Sequence, residues 1–108
     1  MARKNIFETE EVRAFAARMT PSSRRKYAVA RQVLQNIGYL RAPEGEKVEG
    51  QENLFAITIR TQGNERFFYC YDDGATVFIL HAYEKRTPRI PLREIATALR
   101  IRKNLIGR

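Results

Sequence analysis

Three stretches rich in β-branched and aromatic residues, Leu54 to Thr61, Glu65 to Tyr71 and Thr76 to Tyr83, are separated only by Gln62-Gly63-Asn64 and Asp72-Asp73-Gly74-Ala75. Connections that short cannot carry a crossover, and both have hairpin chemistry, so the stretches predict a three-stranded antiparallel meander. Opposite residues on paired strands share a face, and the face alternates along each strand. A three-residue first loop pairs Ile59 with Phe67, Ile57 with Tyr69 and Phe55 with Tyr71 on one apolar face. The other face then holds Arg60 with Arg66, Thr58 with Phe68 and Ala56 with Cys70. A turn at Asp73-Gly74 extends these rows, bringing Phe67 to Leu80, Tyr69 to Phe78 and Arg66 to His81. A one-residue slip would mix charges into the apolar face, which supports the register.

The remaining pattern is helical. Val12, Phe15, Ala16 and Met19 recur at helical spacing behind a Thr9 cap, with Glu10 and Glu11 at the positive end of the helix dipole. Thr20-Pro21 opens a second helix with Tyr27, Ala30, Leu34 and Ile37 as its apolar stripe, ending at Gly38. Its Arg24, Arg25, Lys26 and Arg31 read as a solvated face. Arg41 to Asn53 reads as a loop. After Pro88 and Pro91, a last helix carries Leu92, Ile95, Leu99 and Ile106 on one side, and Ile90 stands where a capping hydroxyl is expected. The expected architecture is α+β in a single domain over residues 1–108. Two N-terminal helices and a basic C-terminal helix pack on a three- or four-stranded antiparallel sheet, a fourth strand being available at Lys4 to Phe7.

Charge narrows the partners. Twenty Lys and Arg stand against 12 Asp and Glu, a net +8, and the segment from Lys85 to Arg108 holds eight of those cations with Glu94 as its sole acid. The natural partner is a polyanion, and the alternative is a basic face kept for solubility. No apolar run approaches a bilayer span and no signal-like stretch follows the first residues, so a cytoplasmic protein without membrane contact is expected. Cys70 is the lone cysteine, which excludes an intrachain disulfide and a cysteine-cluster metal site; it reads as a small buried hydrophobe.

The predicted register sets Arg60, Arg66 and His81 side by side on strands about 4.8 Å apart, with Tyr83 and Lys85 following on the same face. No acid joins them within the row. Like charges placed opposite one another destabilise a sheet, and an anion such as a phosphodiester would compensate them. The alternative is that they are screened at the sheet's end, or paired with Glu49, Glu52 or Glu65. His81 is the only histidine, so a two-histidine acid–base scheme is excluded.

The run His81-Ala82-Tyr83-Glu84-Lys85-Arg86-Thr87-Pro88-Arg89-Ile90-Pro91, leading into Arg93-Glu94-Ile95, resembles the His-Gly-Phe-x-Lys-Lys-Thr-x-x-x-Pro…Glu-Ile pattern of phage-derived and HigB-like members of the RelE/ParE toxin superfamily. Arg66-Phe67-Phe68-Tyr69 stands where the family often has Tyr-Arg-x-x-Tyr. Ala56-Ile57-Thr58 replaces the frequent Glu-Leu-Arg, leaving Arg60 as the candidate for the missing arginine. The resemblance implies a RelE-like fold and the toxin of a toxin–antitoxin pair, silenced by a small antitoxin, often of helix-turn-helix type. It further implies a metal-free endoribonuclease without cofactors that cuts messenger RNA, usually on the ribosome, by attack of a ribose 2′-OH on the adjacent phosphate. In that scheme Arg60, Arg66 and Lys85 hold the phosphate and His81 or Tyr83 moves protons or stacks on a base. Lys47, Arg86 and Arg89 add RNA-binding charge. Two other functions suit the same residues: a ParE-like gyrase inhibitor that does not cut RNA, and a basic nucleic-acid-binding or regulatory module without catalysis.

Overall fold

The computed structural model describes residues 3–61 and 64–108. The elements run β1 (Asn5–Glu8), α1 (Glu10–Ala17), α2 (Pro21–Asn36), β2 (Gly45–Lys47), β3 (Phe55–Ile59), β4 (Glu65–Asp72), β5 (Thr76–Glu84) and α3 (Leu92–Ile106). The strands form one five-stranded sheet in the order β1-β5-β4-β3-β2, with β3, β4 and β5 as the expected antiparallel meander. The sheet is larger and mixed where a smaller antiparallel one was expected. β1 adds to β5 in parallel, and the segment read as a loop contributes β2 to the opposite edge. Three residues are too few to print an alternating pattern, so β2 exists only through its pairing with β3.

Thr9 and Thr20 cap α1 and α2, accepting from the backbone N–H of Val12 at 3.1 Å and Ser23 at 3.2 Å. The two helices cover one face of the sheet, burying Val12, Tyr27, Ala30 and Leu34 against Ile57, Phe67, Tyr69 and Ile79. Phe67 is fixed there by Tyr27, stacked at 4.0 Å between ring centroids, and by the edge of Phe15 at 5.6 Å. α3 covers the other face, with Ala98 buried against a cluster that includes Ala56, Phe68, Cys70 and Leu80. Leu92, expected on that buried side, is 82% exposed. At about 100° per residue it lies roughly 120° around the helix from Ala98, the small residue on which the packed side is centred. Among the described residues, no helix is long and apolar enough to cross a membrane.

Both hairpins differ from the expected register. β3 and β4 are offset by two, so Ile57 meets Phe67 and Thr58 meets Arg66. A shift of two keeps every side chain on its face, which is why the apolar row survives the error. Of the three residues assigned to the first turn, Gln62 and Gly63 lie outside the described residues. In the second hairpin Asp72 pairs with Thr76, leaving a three-residue turn with Asp73 at φ 52° and Gly74 at φ 84°. The ladder then shifts between Phe68 and Tyr69, opposite Leu80, and this bulge brings the neighbours Leu80 and His81 onto the same α3 face.

At the start of β4, Glu65 is 5% exposed, stands opposite Glu84, and leaves Oε1 without a hydrogen-bond partner among the described residues. Burial pushes its carboxyl above the ordinary value; the Glu84 charge adds to this, and a hydrogen bond from Ser23 opposes it. The unfolded chain therefore loses this proton at lower pH than the folded one, and the contribution to stability falls as pH rises through the gap. Glu65→Gln is expected to stabilise the protein at neutral pH, with the gain vanishing in acid where both states are protonated. Urea melts of both proteins at about pH 3.5 and 7.5 check this, and an equal difference at the two values would refute it.

Candidate functional site

Arg66 lies on the α3 face of β4, between Thr58 of β3 and Tyr83 of β5. Its guanidinium donates from Nη1 to the Tyr83 hydroxyl at 2.7 Å and from Nη2 to the Pro88 carbonyl at 3.4 Å. It also lies 3.6 Å from Glu46 Oε1 and 6.0 Å from the centre of the Tyr83 ring. Arg66 is only 3% exposed, and its Nε is buried without a hydrogen-bond partner among the described residues. Glu46 reaches it because β2 is held close to the sheet. A Cβ on Gly45 would come within 2.4 Å of the Leu40 Cβ, so glycine permits the approach that sets Glu46 opposite Ala56 and on the Arg66 face.

His81 stands opposite Phe68, ring parallel to ring at 6.1 Å, while Tyr83 stacks on the same Phe68 at 5.8 Å. From α3, Glu94 Oε1 meets His81 Nε2 at 2.7 Å, with the two side chains 15% and 18% exposed. In the neutral imidazole, hydrogen bonding to the Glu94 carboxylate places the ring proton on Nε2 and leaves Nδ1 as the acceptor.

The predicted row is therefore partly assembled. Arg66, Tyr83 and His81 do share one face, but the direct neighbour of Arg66 is Tyr83. Arg60 does not join them. The two-residue offset takes it past the end of β3, where it is exposed and its carbonyl accepts from Lys26 at 2.7 Å. Acids do stand beside the row, Glu46 at Arg66 and Glu94 at His81. Neither is one of the proposed partners Glu49, Glu52 and Glu65. Glu94 carried a usable signal, as the sole acid of the basic C-terminal segment.

Lys47 pairs in register with Phe55, whose ring packs with the α1/α2 core, so it stands on the other face of the sheet; its Nζ donates to the Gln51 carbonyl. Lys85 follows β5, half-buried, its N–H donating to Asn64 at 2.8 Å. Arg86 and Arg89 are exposed on the segment whose Pro88 carbonyl covers Arg66. Arg93, one residue before Glu94, is 81% exposed and 3.6 Å from it. Cys70 is fully buried, its thiol pushed up to about 11 by burial, and takes no part.

The arrangement combines a carboxylate-oriented imidazole, a phenol held by a buried guanidinium, and exposed cations on the adjoining segment. It can bind a phosphodiester at the exposed cations and exchange a proton through His81.

Residues 14–103 match the family described as phage derived protein Gp49-like. No curated protein matches the chain. Among solved structures, a free-state mutant of the E. coli toxin RelE is similar at a TM-score of 0.69 and 15% identity, covering 93% of this chain and 97% of that one. The likeness is one of fold, and it makes this sheet and its helices RelE-like.

Proposed function

Since the chain belongs to the Gp49-like family of phage-derived proteins and has the RelE fold, we propose that it is the toxin of a toxin–antitoxin pair and cleaves messenger RNA. The observation that carries this reading is the 2.7 Å His81–Glu94 pair on the same face as Tyr83 and Arg66, beside a segment of exposed arginines. Arg86, Arg89 and Lys85 hold the phosphate. His81 Nδ1 takes the proton of the ribose 2′-OH as the 2′ oxygen bonds to phosphorus and the bond to the 5′ oxygen breaks. Tyr83, aimed by Arg66, is the donor available to that leaving oxygen. The products are a 2′,3′-cyclic phosphate and a 5′-hydroxyl. Arg66 itself is a positioning residue, because its guanidinium is engaged by the Tyr83 hydroxyl, the Pro88 carbonyl and the neighbouring Glu46 carboxylate. Ribosome-bound message is the substrate that the family resemblance favours, and a helix-turn-helix antitoxin the partner.

Mass spectrometry of cleaved RNA tests the chemistry. Fragments ending in 2′,3′-cyclic or 3′-phosphate are expected, and fragments ending in 5′-phosphate would exclude attack by the 2′-OH. One observation favours a second reading: Arg66 and His81 each already have a carboxylate neighbour, so the basic surface grips a nucleic acid without cutting it. That reading predicts intact RNA and binding that weakens steeply with salt.

A further inference from the structure

A groove of about 610 Å³ runs between α2 and the β2–β3 side of the sheet. Its α2 residues and Ile59 of the α1/α2 core place it on the α2 side of the sheet, with Thr58, the strand neighbour of Arg66, at its edge. Val29 and Val33 of α2 and its C-cap Ile37 recur every four residues and form one apolar ridge in it. Val29 is 60% exposed and Ile37 44%, a cluster of uncovered aliphatic surface on a strongly charged protein. The rim is basic: Arg25, Lys26 and Arg41 stand against Glu44.

We propose that this groove docks an acidic segment of a protein partner that is apolar along one side. The ridge supplies the apolar contact, and the three cations select negative charge at its edges. A second copy of this chain is disfavoured, because it would bring +8 against +8. Single-stranded RNA is disfavoured as well. Bases need aromatic platforms, and Tyr39, the one aromatic lining the groove among the described residues, has the Arg41 guanidinium over its ring, 5.9 Å from the centroid. Because the groove and the His81 face lie on opposite sides of the sheet, the segment binds without covering His81. Identifying the partner as an antitoxin rests on the toxin reading above; the docking itself does not.

The test uses the full chain and a fluorescent amphipathic helical peptide with a leucine face and glutamate elsewhere, alongside a counterpart with lysine for glutamate. The glutamate peptide is expected to bind and the lysine peptide not to. Val29→Lys, at an exposed helical position, is expected to weaken binding about tenfold or more although it adds a positive charge, because the apolar contact is lost. Failure of the glutamate peptide to bind overturns the proposal, as does undiminished binding by Val29→Lys, which would mean attraction by charge alone. An equal loss of single-stranded RNA binding in Val29→Lys, or loss of a dimer seen by sedimentation, would assign the groove to RNA or to a second copy instead. RNA cleavage is read separately and stays unchanged in Val29→Lys. A protein that binds the peptide and cuts no RNA loses the ribonuclease reading and keeps the groove.

Discussion

His81→Gln is expected to lower RNA cleavage by about 100-fold or more while the protein stays folded, the usual scale for losing a positioned proton-transfer group. The choice of glutamine matters. Its side-chain amide N–H can replace Nε2–H as donor to Glu94, so the tie between β5 and α3, 2.7 Å long in the native protein, is retained. Glutamine cannot accept and return a proton as imidazole does. If the histidine serves only to fasten α3 to the sheet, His81→Gln will melt and cleave like the parent, and the catalytic assignment fails. Glu94→Gln supplies the complementary case. It keeps a hydrogen bond but removes the charge that holds the ring proton on Nε2, so cleavage should fall with little change in stability.

The elements that repeat a local signal were legible from the residues alone. Thr9 and Thr20 act as caps, the apolar faces of α1 and α2 meet the sheet, and the three strands form a meander. Position within the sheet was less legible, because pairing by twos gives the same hydrophobic alternation at several registers. The β3–β4 part of the apolar row is therefore right in its face and wrong in its partners, whereas Phe78 and Leu80, expected in the same row, stand on the α3 face. The error in partners is what put Arg60 beside Arg66. The bulge at Leu80 adds one residue that no alternation records, and it is the bulge that turns His81 toward Glu94.

Glu46 was hidden for a different reason. It lies in a stretch whose proline, glycines and glutamates have the composition of a loop, and only the pairing of Gly45–Lys47 with β3 makes it a strand neighbour of the site. Chemistry that depends on such a contact is set by tertiary structure. Glu94, by contrast, was visible as a charge out of place, and its role follows once α3 is laid against the sheet.

Arg66→Ala provides the second large effect, and its sign separates the two registers. In a row of like charges, removing Arg66 would leave stability unchanged or raised. In the observed arrangement it should cost roughly 1–3 kcal/mol, because the nearly buried Tyr83 hydroxyl loses its 2.7 Å donor and the Pro88 carbonyl loses a partner. The Glu46 contact adds little to that figure, since the carboxylate is 46% exposed and 3.6 Å away. Arg66→Met retains most of the buried stem, so comparing it with alanine separates lost packing from lost hydrogen bonds. Cleavage per folded molecule should also fall in both variants, since Tyr83 and the segment around Pro88 lose the group that positions them. That fall should be smaller than in His81→Gln, because Arg66 acts through its neighbours. Urea melts paired with single-turnover cleavage read both quantities. An Arg66→Ala protein as stable as the parent would show that the buried guanidinium does not hold this face together, and a fall in cleavage exceeding that of His81→Gln would move Arg66 from positioning to direct contact with the phosphate.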